Sequence, residues 1–220
     1  MSDHCLREKK IFRAAAAALF ITALCCAWLL PAASGAAIDL KKPGNYFFDR
    51  YHPDPAAAPK VIENYDLAVR AFEKKDIIKA LFYLNNVLKY SQFSKEALNL
   101  YGAVLMYEGD FDNARELFRS AINQDPKYKW PYINLGVICY KLEKWRELEG
   151  ACSKYLNFDS GDFEANLGMG LAAFHLFCYA DADAYLKKAF DSSKNAVSQE
   201  FVKLMNDYRA RVRAKLRRLY

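Results

Sequence analysis

Residues 99–126 read NLYGAVLMYEGDFDNARELFRSAINQDP, and in them Gly102, Ala114 and Pro126 stand twelve positions apart. The spacing recurs at longer range. A step of 34 from Gly102 reaches Gly136, in PYINLGVICYKLEKWRELEGA, and a second step reaches Gly170, in ANLGMGLAAFHLFCYADADAYLKKA. One step back falls on Ala68, in NYDLAVRAFEKKDIIKALFYLNNVL. Such a period marks an array of small units, each unable to bury its apolar face alone. Each unit is expected to be two antiparallel helices, with Gly102 on the first facing Ala114 on the second. A larger side chain at that approach costs about 1–3 kcal/mol in overpacking. Gly109-Asp110 is the expected turn, because glycine accepts the left-handed conformation that ends a helix. Pro126 stops the second helix, since it has no N–H for the ladder.

Within residues 95–128, the order Leu98, Tyr101, Gly102, Leu105, Phe111, Ala114, Phe118, Ala121, Pro126 resembles the tetratricopeptide repeat. Leu98 and Leu105 stand where Trp and Tyr are commonest in that family. The copy from Lys129 keeps Tyr132, Leu135, Gly136 and Trp145, with Leu148 and Tyr155 at the two usual alanines. The copy from Phe163 keeps Gly170, Tyr179, Ala182, Leu186 and Ala189, and the copy from Val61 keeps Leu67, Ala80 and Leu84. The resemblance implies an all-α fold, an α-α superhelix of about four helix pairs over 61–94, 95–128, 129–162 and 163–196.

The first 36 residues have a different character. Arg7, Lys9, Lys10 and Arg13 precede the uncharged run from Ala14 to Ile38, and small residues follow Pro31. That is the layout of a secretory signal peptide, with cleavage after Gly35 or Ala36; a retained N-terminal anchor is the alternative. Both place the repeats outside the cytoplasm, in an exported, periplasmic or other extracytoplasmic location. Residues 37–60 hold Pro43-Gly44 and prolines 53, 55 and 59, which predict an extended arm or linker. Its aromatics Tyr46, Phe47, Phe48 and Tyr51 are expected to pack on the first repeat as a cap.

The formal charge is +6, and losing residues 1–36 removes four basic and two acidic side chains. The remaining basicity lies in 197–220, which has seven basic and two acidic residues. Basicity confined to one segment argues against a general nucleic-acid surface. Phe201, Met205, Tyr208, Val212, Leu216 and Leu219 recur every three or four residues, giving one apolar stripe. Arg209, Arg211, Arg213, Lys215, Arg217 and Arg218 lie around the other faces. This segment is expected to be a capping helix, with an anionic membrane surface or an acidic partner as the further reading of its charge.

Catalytic and metal signatures do not appear. There is no glycine-rich phosphate loop, GxSxG or HExxH. His175 and Cys178 are three apart, yet a third and fourth ligand are missing, so no metal, cofactor or catalytic residue is assigned. Asp110, Asp112, Asp181 and Asp183 fall at helix starts, where carboxylates cap backbone donors. Cys139, Cys152 and Cys178 are expected as buried free thiols.

In the family that the chain resembles, the first helix of each repeat lines the concave face. By that resemblance a groove is lined by Tyr65, Phe72, Asn99, Met106, Tyr107, Trp130, Ile133, Tyr140, Leu171 and Phe174. The Lys, Asn and Arg set with which chaperone-adaptor members grip a terminal carboxylate is not matched. The implied function is a non-enzymatic interaction scaffold, exported or membrane-tethered, holding an apolar or amphipathic segment of a partner protein. The alternative is a self-associating structural component of an envelope assembly.

Overall fold

The computed structural model describes residues 47–49, 58–91, 94–193 and 199–219. The expected leader, with Tyr46 and Tyr51 of the arm, lies outside them. The described residues form α-helices with no strand among them: α1 (Pro59–Glu73), α2 (Ile77–Tyr90), α3 (Lys95–Glu108), α4 (Phe111–Gln124), α5 (Lys129–Lys141), α6 (Trp145–Leu156), α7 (Phe163–His175), α8 (Tyr179–Ser192) and α9 (Gln199–Leu219). Neighbours in sequence pack as antiparallel-type pairs, α1 with α2, α3 with α4 and α7 with α8. The fold is a helical-repeat solenoid. Two compact units divide the chain, one from Asp39 to Leu142 and one containing Glu143 to Tyr220. The first holds α1–α5 and the second α6–α9.

The repeat period is written in the backbone. Lys75, Gly109, Glu143 and Phe177 all adopt positive φ, at 61°, 93°, 55° and 64°, and they stand 34 residues apart. Each occupies the turn between the two helices of a repeat. The N–H of Asp110 reaches back to the Leu105 carbonyl, that of Asp76 to Ala71 and that of Cys178 to Ala173, closing three helix ends in the same way. Only Gly109 was legible as such a site, because the other three positions carry side chains that seldom take this conformation. Asp76 and Asp110 then cap the following helices, accepting from the N–H of Lys79 and Asn113.

Close helix approach also follows the period, with a correction to the expected partner. A Cβ on Gly102 would lie 2.5 Å from the Phe118 ring, and one on Gly170 would lie 2.6 Å from Leu186. The glycine therefore makes room for the large residue sixteen positions on, not for Ala114. Ala114 is fully buried, but its small size serves the wider packing of the pair. A further close approach, absent from the expected pattern, brings Gly168 of α7 against the Cys152 sulfur of α6.

The first unit's core is built from Val61, Tyr65, Phe72, Leu84, Leu100 and Val104, with Phe48 of the arm packed against it. In the second unit, α9 docks on α8 and α7. Phe201, Met205, Tyr208 and Val212 of its expected stripe are buried, and so is Leu204. Cys139 and Cys152 are buried thiols. Cys178 departs from the expectation of a free thiol: it is disulfide-bonded.

Among the described residues no helix is long and apolar enough to cross a membrane.

Candidate functional site

Four of the expected groove residues of the first unit, Tyr65, Phe72, Asn99 and Trp130, converge on three residues of the arm. Phe47, Phe48 and Asp49 lie across α1, α3 and α5, each half-buried. The arm is thus no cap of the first repeat alone; it runs along the first helices of three repeats. What holds it is mainly the peptide backbone. The Asn134 side chain accepts from the Phe47 N–H at 2.9 Å and donates to the Phe47 carbonyl at 2.7 Å. One side-chain amide thereby replaces the neighbouring strand that an extended segment would otherwise pair with. Asn99 donates to the same carbonyl at 2.8 Å, and Asn134 also donates to the Asn99 oxygen at 3.0 Å. Both asparagines are fully buried, so their amides depend on these bonds.

The side chains of the arm enter three environments. Phe47 stacks on Trp130, with centroids 5.7 Å apart and planes 10° apart. Phe48 packs against Phe72, whose edge contact with Tyr107 completes an aromatic wall. Asp49 is held through both carboxylate oxygens: the Tyr128 hydroxyl donates to one at 2.7 Å and the Trp130 indole N–H to the other at 3.1 Å. The Tyr65 hydroxyl donates to the Asp49 backbone carbonyl at 2.7 Å.

Electrostatics keep these donors protonated. Burial raises the Tyr65 and Tyr128 phenols well above their ordinary range, and the Asp49 carboxylate adds to the effect. Lys95 ion-pairs with Asp125 at 2.6 Å and places its ammonium over the Tyr128 ring at 5.5 Å. The hydrogen bond between them raises the Lys95 pKa and lowers that of Asp125.

Of the remaining expected groove residues, Met106 and Ile133 are buried in the first unit, and Tyr140 is half-buried. Leu171 and Phe174 belong to the second unit. Phe174 lies under α9, in edge contact with Tyr208 at 5.1 Å and beneath the Arg211 guanidinium at 4.7 Å. Beside it, His175 stacks on Trp145 at 3.7 Å and shares a 2.7 Å hydrogen bond with the Tyr208 hydroxyl. Burial, with the Arg211 charge, lowers the His175 pKa to about 4.

The expected basic residues divide in two. Arg209 lies over the Phe190 ring and Arg211 over Phe174 and Tyr208, whereas Arg213, Arg217 and Arg218 are exposed and Lys215 is half-buried.

Asn134, Tyr128 and Asp49 were not among the expected site residues. An asparagine one position off the family's lining set, a tyrosine in the inter-repeat turn and an acid in a proline-flanked arm carry no local signal of convergence. Only the docked arm assembles them.

Comparison with known proteins agrees with this architecture. The tetratricopeptide repeat model matches residues 95–128. Among solved structures, the chain is similar to MamA 41-end from Desulfovibrio magneticus RS-1, with TM-score 0.58 and 17% identity over 74% of this chain and 94% of that one. It is similar also to a chain of the APC/C hetero-tetramer Cut9-Hcn1, with TM-score 0.56 and 19% identity over 69% of this chain and 30% of that one. No curated protein sequence matches it. The chain therefore resembles the tetratricopeptide-repeat family, by sequence in one repeat and by fold across the helical array.

Proposed function

We propose that this chain is a non-catalytic interaction scaffold whose first unit holds an extended protein segment in the groove of α1, α3 and α5. The observation that carries the reading is the pair of buried asparagines, Asn99 and Asn134, bonded to a peptide backbone. Side chains that satisfy main-chain N–H and C=O groups are suited to ligands that are themselves extended polypeptide, with flanking aromatics adding specificity. The chain is exported or membrane-tethered through residues 1–36, and the exposed Arg213, Arg217 and Arg218 favour a secondary contact with an anionic surface.

The test is affinity purification of the full-length chain from its native source, followed by direct binding of each identified partner to purified variants. Asn99→Ala, Trp130→Ala and Tyr140→Ala are expected to weaken binding at least about tenfold. A partner that binds these variants at full strength while losing affinity for Arg213→Ala/Arg217→Ala/Arg218→Ala moves the recognition surface to α9.

A further inference from the structure

We infer that the resident Phe47–Asp49 segment is a built-in competitor, and that the partner it excludes presents an extended segment of the same chemistry, two aromatic residues followed by a carboxylate. The inference rests on the scaffold reading and names the ligand of that site.

The recognition is unusually complete for a segment of three residues. Its first residue is read through the backbone, by two bonds from Asn134 and one from Asn99, so any extended peptide can occupy that register. Trp130 then offers a flat face to the first aromatic ring, and Phe72 packs against the second with the ring planes 50° apart. The third position is read as an acid, because the Tyr128 hydroxyl and the Trp130 indole N–H point at separate oxygens of one carboxylate. The indole N–H can only donate, and both phenols facing Asp49 are held protonated, so the pair favours an acceptor at this position.

The same bonds argue for exchange and against simple opening. Asn99 and Asn134 are fully buried with the segment in place, and among the described residues the bond that remains to them without it is the one to each other. A groove left empty gives up these backbone bonds, and only an entering peptide backbone restores all of them. The arm therefore leaves most readily when another backbone enters. The apparent dissociation constant of such a partner is its intrinsic value divided by the fraction of molecules whose groove is free, so the arm sets a threshold for binding.

A labelled synthetic peptide of residues 44–52, GNYFFDRYH, serves as the probe against the full-length chain. Asp49→Asn in the protein keeps the size of the side chain and removes its charge, weakening the arm alone. This variant is expected to bind the probe at least about tenfold more tightly than wild type. The probe with asparagine at its central acid is expected to bind the variant at least about tenfold more weakly than the unchanged probe. Asn134→Ala, combined with Asp49→Asn, is expected to abolish binding while far-UV circular dichroism still reports a helical fold.

Equal affinity of wild type and Asp49→Asn would overturn the competitor, and equal affinity of the two probes would overturn the acid-reading site. Light scattering provides an independent check: a wild-type dimer that Asp49→Asn converts to monomer would mean that arms are exchanged between copies, refuting the foreign partner. Should the probe ignore the groove while an identified partner still requires Trp130 and Tyr140, the scaffold reading stands and this inference falls. Loss of partner binding only on substitution of the α9 arginines would refute both.

Discussion

Single residues carry the repeat geometry through sterics. At the inter-helix turn, glycine supplies positive φ without penalty only at Gly109, whereas Lys75 and Glu143 adopt it with full side chains. An L-residue in this conformation is disfavoured by about 1–2 kcal/mol, part of which glycine returns through its larger unfolded-state entropy. Lys75→Gly and Glu143→Gly are expected to raise stability by roughly 0.5–1 kcal/mol each, measured by urea denaturation. A lower denaturation midpoint in both would show that their side chains contribute more than their backbone strain. Gly102 gives the opposite case. Its missing Cβ is the space that Phe118 fills, so Gly102→Val is expected to cost ~1–3 kcal/mol or more. A melting temperature unchanged by that substitution would contradict the close packing of α3 and α4.

At the scale of elements, α9 closes the second unit, and its contacts are of two physical kinds. Phe201, Leu204, Met205, Tyr208 and Val212 are buried. Removing them at about 1.5–3 kcal/mol each exceeds the stability of most domains. Deletion of 199–220 is accordingly expected to unfold the second unit, seen as lost helical signal and aggregation; a soluble truncated chain with an unchanged melting curve would contradict the cap. The second kind is polar and pH-dependent. His175 is neutral in the fold, with its pKa lowered to about 4 by burial and then by Arg211, while the unfolded chain takes up the proton near pH 6.5. Its contribution to stability is therefore fully present above about pH 6.5 and declines as pH falls toward 4. The melting temperature of wild type is expected to fall more steeply across that window than that of His175→Phe. Parallel pH profiles would remove His175 from the account.

For the whole molecule, the contacts are organised by neighbour. Each unit encloses its own core, and helices adjacent in sequence supply most of the packing within each, the behaviour expected of a repeat array. The exception in the first unit is the arm, whose Phe47 bonds to Asn134 across 87 positions of sequence. On the proposed reading, residues 1–36 direct this array across a membrane. If residues 1–36 are a cleaved signal, intact-mass measurement of the native exported protein is expected to show loss of 35 or 36 residues. Recovery of the full-length chain in the membrane fraction would assign the segment as an anchor.

The sequence alone determined the helix pairs, their period, the Gly109-Asp110 turn and the apolar stripe of α9. Those features rest on interactions within a few residues of one another: capping, helix periodicity and steric limits at a turn. Through the resemblance it also placed Tyr65, Phe72, Asn99 and Trp130 on one lining set, because that family lines its concave face with the first helix of each repeat. Tertiary structure decided what those residues do. The identity of Gly102's neighbour depended on how far one helix is shifted along the next, and a shift of one turn, about 5.4 Å, exchanges Ala114 for Phe118. Asn134 and Asp49 acquire their roles only when distant backbone and side-chain dipoles are brought within 3 Å, and no local spacing encodes such a meeting. Under the docked segment the Asn134 amide has lost water and kept its bonding capacity, so its bonds to the Phe47 backbone replace the water bonds it gives up.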